Sequence, residues 1–484
     1  MKKGDIITLT VDGVAYPGKA YGYIGEGADE CKIVLDRGIP GQEVNARLIK
    51  KRNKQWRATV LSVTRRADDE TCVPCPMFGR CGGCAYLTMP YDDQLTMKTD
   101  WVKGLLADAG ISGAVTLPTI PSPVIYRYRN KMEFSFGDEV PGGALRLGLH
   151  ERGRAHNVLS AEKCCLVSED FGEIVRAVSA YFAERHIPYY HKRSHEGYLR
   201  HLVIREGKTT GEILINLVTT SGMIFDGGSF SDMLLKLTLK GRICGIIHTI
   251  NDGVADVVRA DSMETLYGEA MLHEHILGLS FDISPFSFFQ TNTYGAEALY
   301  TAVRDSIGMV WDTGNSRKTK PVIFDLYCGT GTIAQIVAKG AKKVIGIELV
   351  EEAVAAAKRN AAVNGLDNCE FIAGDVLTKV DELSDKPDII VLDPPREGIH
   401  PKVIFKIIDF NPEIFVYVSC KASSLAVDLP FFIQAGYTIH HMRCVDMFPH
   451  TPHVETICCL YRQKKYSNSV PYDPKDADYL QQRE

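Results

Sequence analysis

Hydrophobic and polar positions alternate with a period of two through much of the first 66 residues. Residues 6–11 alternate, Gly13 and Gly18 break the run, and residues 31–35, 43–50 and 56–64 resume it. Successive side chains of a strand point to opposite faces, so this pattern predicts short strands separated by glycine turns. Five or so such strands in so short a stretch predict a small β-barrel of OB type. The alternation then disappears. Residues 67–90 are dominated by cysteine, proline and glycine, and such a segment needs something other than apolar burial to hold it. Residues 92–109 read as a helix with Leu95, Val102, Leu105 and Leu106 on one stripe. From 115 to 285, strands at 131–136, 145–150, 199–206, 212–219 and 243–251 mix with a helix at 171–185. This predicts an α+β domain with a largely antiparallel sheet.

From 290 onward the grammar becomes strand–helix alternation. Strands at 322–326, 343–348, 389–393, 414–419 and 455–460 are apolar runs, with helices at 333–338 and 351–364. Alternation of this kind predicts a doubly wound α/β sheet. The expected organisation is therefore a barrel over 1–66, a central domain over 67–285, an α/β domain over 286–463 and a polar tail over 464–484.

Composition narrows the class. The chain has 484 residues, 45% hydrophobic and 24% charged, with a net charge of −5, which is ordinary for a globular protein. No apolar run reaches the ~18 residues of a membrane helix, and no secretory leader is evident. A cytoplasmic protein is expected, with its 14 cysteines reduced. Nothing calls for a membrane or an obligate protein partner. The charge is uneven: residues 1–66 hold 13 Lys and Arg against 7 Asp and Glu, an electrostatic footprint suited to phosphates.

Candidate chemistry begins at Asp325-Leu326-Tyr327-Cys328-Gly329-Thr330-Gly331-Thr332, between a strand and a helix. Glycines at such a turn let the backbone approach a ligand. Glu348 ends the next strand, where a carboxylate can accept both hydroxyls of a ribose. The loop has the form D-x-x-x-G-x-G rather than the G-x-G-x-x-G of a dinucleotide site, and resembles the first motif of class I methyltransferases. Asp375 follows the strand after Glu348, where such enzymes place an acid against adenine. Asp393, in Asp393-Pro394-Pro395-Arg396, ends a further strand on the same crevice edge.

Cys420 lies just past the strand at 414–419, beside Lys421, whose charge would favour a thiolate if it faced the sulfur. Glu455 enters the last strand from Phe448-Pro449-His450-Thr451-Pro452-His453-Val454. A thiol and a carboxyl of raised pKa make a nucleophile and a base, with His450 or His453 as orienter or structural partner. Carbon 5 of uracil needs both: thiolate addition at carbon 6 activates it, and a base removes its proton afterwards. An amino-group methyltransferase would need no cysteine, and a cytosine-5 enzyme would carry its cysteine after proline. Finally, Cys75, Cys81 and Cys84 form a C-x5-C-x2-C run, a spacing that binds zinc or an iron–sulfur cluster. Cys72, Cys164 and Cys165 are available as a fourth ligand.

Together these residues resemble the RNA uracil-5 methyltransferase family. Its marks here are Phe288-Phe289-Gln290-Thr291-Asn292, residues 325–331, Asp393-Pro394-Pro395-Arg396, Ser419-Cys420 and residues 448–455, all in the family's order. The resemblance implies a TRAM-like barrel, Cys420 as nucleophile, Glu455 as base, and S-adenosylmethionine held by Gln290, Tyr327, Glu348 and Asp393, with Thr332 and Asp375 at further contact positions. It implies RNA contact through residues 126–131. It also implies a [4Fe-4S] cluster on Cys75, Cys81, Cys84 and Cys164, with Cys165 the fallback. It favours 23S ribosomal RNA over tRNA as substrate, with a non-catalytic RNA-binding factor as the remaining alternative. One departure is Lys421-Ala422 after the cysteine, where many members carry Asn or Asp before Pro or Ala.

Overall fold

The computed structural model describes residues 1–25, 30–255, 258–314 and 319–462; the expected polar tail lies outside the described residues. The chain divides into two compact units. The first takes Met1–Trp101, Val124–Leu272 and Phe448–His453, and the second takes Val102–Pro123, His273–Met447 and the chain from Val454.

In the first unit, six strands make one sheet in the order β1-β5-β6-β4-β3-β2: β1 (Ile6–Thr10), β2 (Gly13–Ala15), β3 (Lys19–Ile24), β4 (Cys31–Leu35), β5 (Glu43–Arg52) and β6 (Gln55–Arg65). The alternation puts Leu9, Ile33, Leu35, Val44, Ala46 and Leu48 inside. The sheet curls until Gly22 of β3 meets the carbonyl of Thr10, where a Cβ would lie 2.2 Å from the oxygen. Trp101, on α1 (Tyr91–Asp108), packs in this core and donates its indole N–H to the Val14 carbonyl at 2.6 Å.

A second sheet follows, in the order β13-β12-β11-β10-β7-β8-β9: β7 (Lys131–Asp138), β8 (Leu145–Glu151), β9 (Arg154–Ser160), β10 (Leu199–Glu206), β11 (Glu212–Thr219), β12 (Arg242–Ile250) and β13 (Ser262–Gly268). One face carries Phe134, Phe136, Leu202, Ile204, Ile215 and Leu217 against α2 (Glu169–Glu184) and α3 (Gly227–Leu235). Each large apolar side chain so buried contributes about 1.5–3 kcal/mol. The sheet is mostly antiparallel, but β11 and β12 run parallel, joined by α3 as a crossover.

The second unit holds the hairpin β14 (Leu272–Ile276) and β15 (Leu279–Ile283), then α4 (Thr293–Gly314) and a seven-stranded sheet. Its elements are β16 (Val322–Leu326), α5 (Thr332–Ala338), β17 (Lys343–Glu348), α6 (Glu351–Val363), β18 (Cys369–Ala373), α7 (Val376–Lys379), β19 (Ile389–Leu392), α8 (Pro401–Asp409), β20 (Ile414–Ser419), α9 (Ala422–Gln434), β21 (Tyr437–Val445) and β22 (Glu455–Arg462). The order is β18-β17-β16-β19-β20-β22-β21, parallel except for β22, which is antiparallel to both neighbours. The central strands read as continuous apolar runs because helices cover both faces of such a sheet. The strand order reverses between β16 and β19, which opens a crevice at the carboxyl ends.

Candidate active site

Strand register gathers the candidate residues of the second unit in one row. Leu326 pairs with Ile347 and with Leu392, so Tyr327, Glu348 and Asp393 emerge level with one another. Glu348 pairs with Ala373, which puts Gly374 and Asp375 next along the edge. Leu392 pairs with Tyr417, so β20 ends on the same side. Ser419 pairs with Thr456 in the antiparallel ladder, so Cys420 comes level with Glu455. The six-residue strand β20 and the returning β22 therefore place thiol and carboxyl side by side from distant parts of the chain.

The glycine loop is shaped for a ligand. Gly329 has φ +53° and open space where a Cβ would stand. Its N–H reaches Glu348 Oε2 at 3.0 Å, and Glu348 Oε1 accepts from Val350 N at 3.0 Å. A carboxylate accepts about four hydrogen bonds, so both oxygens keep capacity for ribose hydroxyls. Leu349 and Val350 beside it are 66% and 50% exposed, an apolar bed for a purine ring. Asp325 is buried and accepts Ala334 N at 2.9 Å, tying the loop to α5; burial, then Asp393, holds its pKa up at about 8. Asp375 is exposed and caps α7, with Oδ1 accepting Leu377 N at 2.9 Å. Thr332 is buried at the start of α5, with its hydroxyl 3.4 Å from that of Thr330. These features fit an adenosyl cofactor.

The reacting end is desolvated. Glu455 is 5% exposed, and burial, reinforced by Asp393 and opposed by Arg396, raises its pKa to about 8. Asp393 keeps some surface at the crevice mouth, but its carboxyl lies deep enough for burial to raise it to about 7. The half-buried Cys420 thiol is pushed up to about 11, first by burial and then by Glu455 and Asp393; Arg396 opposes them. Arg396 is thus a cation that favours the ionised sulfur, and Lys421, adjacent in the chain, precedes α9 as its N-cap. Sequence reasoning named the motif around Arg396 but could not give its direction. It also missed Tyr300, a buried phenol on α4 that hydrogen-bonds Gln290 and faces Asp393, Asp325 and Glu455. A tyrosine in an amphipathic helix carries no signal of such a place.

In the first unit, His450 proves a structural residue. It is 2% exposed and stacks on Tyr126 at 4.9 Å. Its ring nitrogen meets Gln94 Nε2 at 3.2 Å, and its carbonyl accepts from Ala85 and Tyr86. His453 is exposed.

The thiols expected to ligate metal are also in the first unit. Among the described residues, no group of three or more His, Cys, Asp or Glu is arranged to hold a metal ion, so Cys75, Cys81, Cys84 and Cys164 stand as a thiol cluster and not as a formed metal site. They are nonetheless electrostatic neighbours. Burial and the other three thiols push Cys84 up to about 12. Gly83 N–H points at the Cys81 sulfur at 3.3 Å. The Cys75 sulfur accepts from Met77 and Phe78, and the Cys164 sulfur from Leu166 and Val167. Cys165 hydrogen-bonds to Cys75, and Cys72 is exposed.

A seven-stranded sheet in this order, with a glycine loop after its first strand and acids at the next strand ends, defines a class I S-adenosylmethionine-dependent methyltransferase fold. The family model described as tRNA (Uracil-5-)-methyltransferase matches residues 296–463. The chain is 46% identical to an uncharacterized RNA methyltransferase of Clostridium tetani, over 96% of this chain and 99% of the relative. It is 43% identical to another of Clostridium acetobutylicum, over 96% and 99%. Among solved structures, a tRNA (uracil-54, C5)-methyltransferase of Pyrococcus abyssi in complex with S-adenosyl-L-homocysteine aligns with a TM-score of 0.73 and 25% identity, covering 94% of this chain and all of that one. The chain belongs to the RNA uracil-5 methyltransferase family and is an S-adenosylmethionine-dependent RNA methyltransferase.

Proposed function

We propose that the protein methylates carbon 5 of a uridine in a structured RNA through a covalent adduct on Cys420. The observation that carries this reading is the register that sets Cys420 beside Glu455 in a crevice edged by Asp393. S-adenosylmethionine supplies an electrophilic methyl group there, with Glu348 suited to its ribose and Tyr327, Thr332, Asp375 and Gln290 placed around the same edge. Cys420 adds to uracil carbon 6, and carbon 5 becomes nucleophilic. Arg396 supports the thiolate. Glu455 in its ionised form takes the carbon 5 proton after transfer, and elimination frees Cys420. The target base must leave its stack to expose carbons 5 and 6. Phe288, 71% exposed two residues before Gln290, offers a ring for it.

Cys75, Cys81, Cys84 and Cys164 would hold a [4Fe-4S] cluster, which supplies a structural cross-link. The backbone N–H groups aimed at three of these sulfurs favour that reading, since such bonds stabilise cluster thiolates. By resemblance to the ribosomal RNA members of the family, the cysteine cluster and the barrel favour 23S ribosomal RNA as substrate. The tRNA enzyme from Pyrococcus abyssi favours a tRNA uridine as the second reading. The test is nucleoside mass spectrometry of ribosomal RNA and tRNA with and without the gene, complemented by variants. Loss of 5-methyluridine from the large ribosomal RNA is expected, and loss from tRNA alone would move the substrate. Cys420→Ala should abolish the product, and Glu455→Gln should leave a protein–RNA adduct stable to denaturing electrophoresis. Full activity of Cys420→Ala would end the covalent reading.

A further inference from the structure

The residues after Cys420 do more than continue the chain. Helix α9 starts at Ala422, and two of its side chains, one helical turn apart, reach the loop that follows Asp393. Ser424 Oγ donates to the Arg396 carbonyl at 2.7 Å. Asp428 Oδ2 accepts Ile399 N at 2.9 Å and the Tyr417 hydroxyl at 2.7 Å. Asp428 is 1% exposed and Ser424 is 7% exposed. The loop lies directly on the helix: Gly398 has φ +84°, and a Cβ there would stand 2.7 Å from Asp428 Oδ2 and 3.2 Å from Ser424 Cβ.

We propose that Ser424 and Asp428 are positioning residues that clamp the 394–399 loop so that Arg396 faces Cys420 and Glu455. The inference rests on reading Cys420 as the nucleophile. A buried carboxylate is costly unless its hydrogen bonds are well made, and these are made to the loop and to β20, the strand that carries the thiol. Arg396 is exposed, with a long side chain whose reach is set by its backbone. Ser424 holds the carbonyl of Arg396 itself, and Asp428 holds the backbone N–H of Ile399, three residues further on. The charged and titratable groups acting on Cys420 are Glu455 from β22, Asp393 from the end of β19 and Arg396 from the loop. Arg396 is the cation among them. Those near Asp428 are Tyr417 and Tyr327. One segment thus carries both the thiol and the brace for its counter-charge.

The test is the pH dependence of Cys420 alkylation by iodoacetamide in the full-length protein, read at that peptide by mass spectrometry. In Ser424→Ala and Asp428→Ala the profile should move to higher pH, with alkylation at pH 8 slower by about three- to tenfold, part of the roughly one-unit effect of a nearby opposite charge. Ser424→Thr and Asp428→Asn, which keep the donor and the acceptor, should restore it. Arg396→Gln should shift the profile as far, and adding Ser424→Ala to it should shift it no further. A merely structural role would lower the melting temperature and leave the profile in place. If Asp428→Ala does not fold, Ser424→Ala alone decides. An unchanged profile in folded Ser424→Ala overturns the inference while Cys420→Ala remains inactive. Activity in Cys420→Ala would instead remove the reading beneath it.

Discussion

Glu455 is the residue on which pH acts most directly. Its carboxyl ionises at 4.5 in the ordinary case and is raised to about 8 here by burial and by Asp393. If Glu455 is the base proposed above, it must be ionised to take a proton, so methyl transfer should climb from pH 6 to 9. The apparent pKa belongs to Glu455, Asp393 and Asp325 as a coupled set. Single-turnover formation of 5-methyluridine at fixed ionic strength measures this, and an optimum below pH 7 would remove Glu455 from the role of base. Stability runs in the opposite direction. The folded state holds the proton up to about pH 8, whereas the unfolded chain gives it up near 4.5. The stabilisation is therefore complete below that lower value and is lost as pH rises towards the upper one. Melting temperature should fall between pH 5 and 8, and fall less in Glu455→Gln. That Glu455 would be raised is legible from its place at the mouth of an apolar strand. The identity of the counter-charge is not: Lys421 is the neighbour in sequence and Arg396 the neighbour in space.

Elements were legible where burial is uniform. β16, β17 and β20 lie over the residues their apolar runs predict, because a strand covered on both faces leaves an uninterrupted signal. β13 was not predicted: all its residues but Leu266 are exposed, so no alternation marks it. β9 and α3 were not predicted either; α3 opens with two glycines, poor helix formers, and is held by packing of Phe230 and Leu234. The row of candidate site residues could be read because polar residues end the apolar strands, which is where the crevice of such a sheet lies. The turn between β16 and α5 gives the sharpest test at this scale. Gly331 has φ +72°, and a Cβ there would meet the Phe371 ring at 2.5 Å and Ala357 at 3.0 Å. Gly331→Ala should cost at least the ~1–2 kcal/mol of a left-handed alanine, seen as a lower melting temperature, and should weaken S-adenosylhomocysteine binding by tenfold or more in calorimetry. Unaltered affinity in a folded variant would mean that this loop does not cradle the cofactor.

Across the whole molecule, the least self-sufficient segment is the cysteine-rich one. Between residues 67 and 85 only Ala67 is buried, so apolar packing contributes little order there. What does tie the stretch is polar: the Arg152 guanidinium donates to the Cys84 carbonyl at 3.0 Å, and Arg152 N donates to the Arg80 carbonyl at 2.8 Å. Arg80 pairs with Glu139 and Glu151, but exposed ion pairs of this kind are worth little. A cluster bridging Cys75, Cys81 and Cys84 to Cys164 would close a loop of about 80 residues, and cross-links over long loops remove the most chain entropy from the unfolded state. Anaerobic reconstitution with iron and sulfide should therefore give a brown protein with about four irons per chain. Amide exchange over residues 67–90 should slow on loading, and the melting temperature of the first unit should rise. Cys81→Ser should lose the iron and the protection together, while the second unit, whose cofactor crevice contains none of these thiols, should bind S-adenosylhomocysteine as before. A chain that stays colourless, with Cys81→Ser indistinguishable from it in exchange and melting, would leave the segment held by polar contacts such as those from Arg152 to the Arg80 and Cys84 carbonyls.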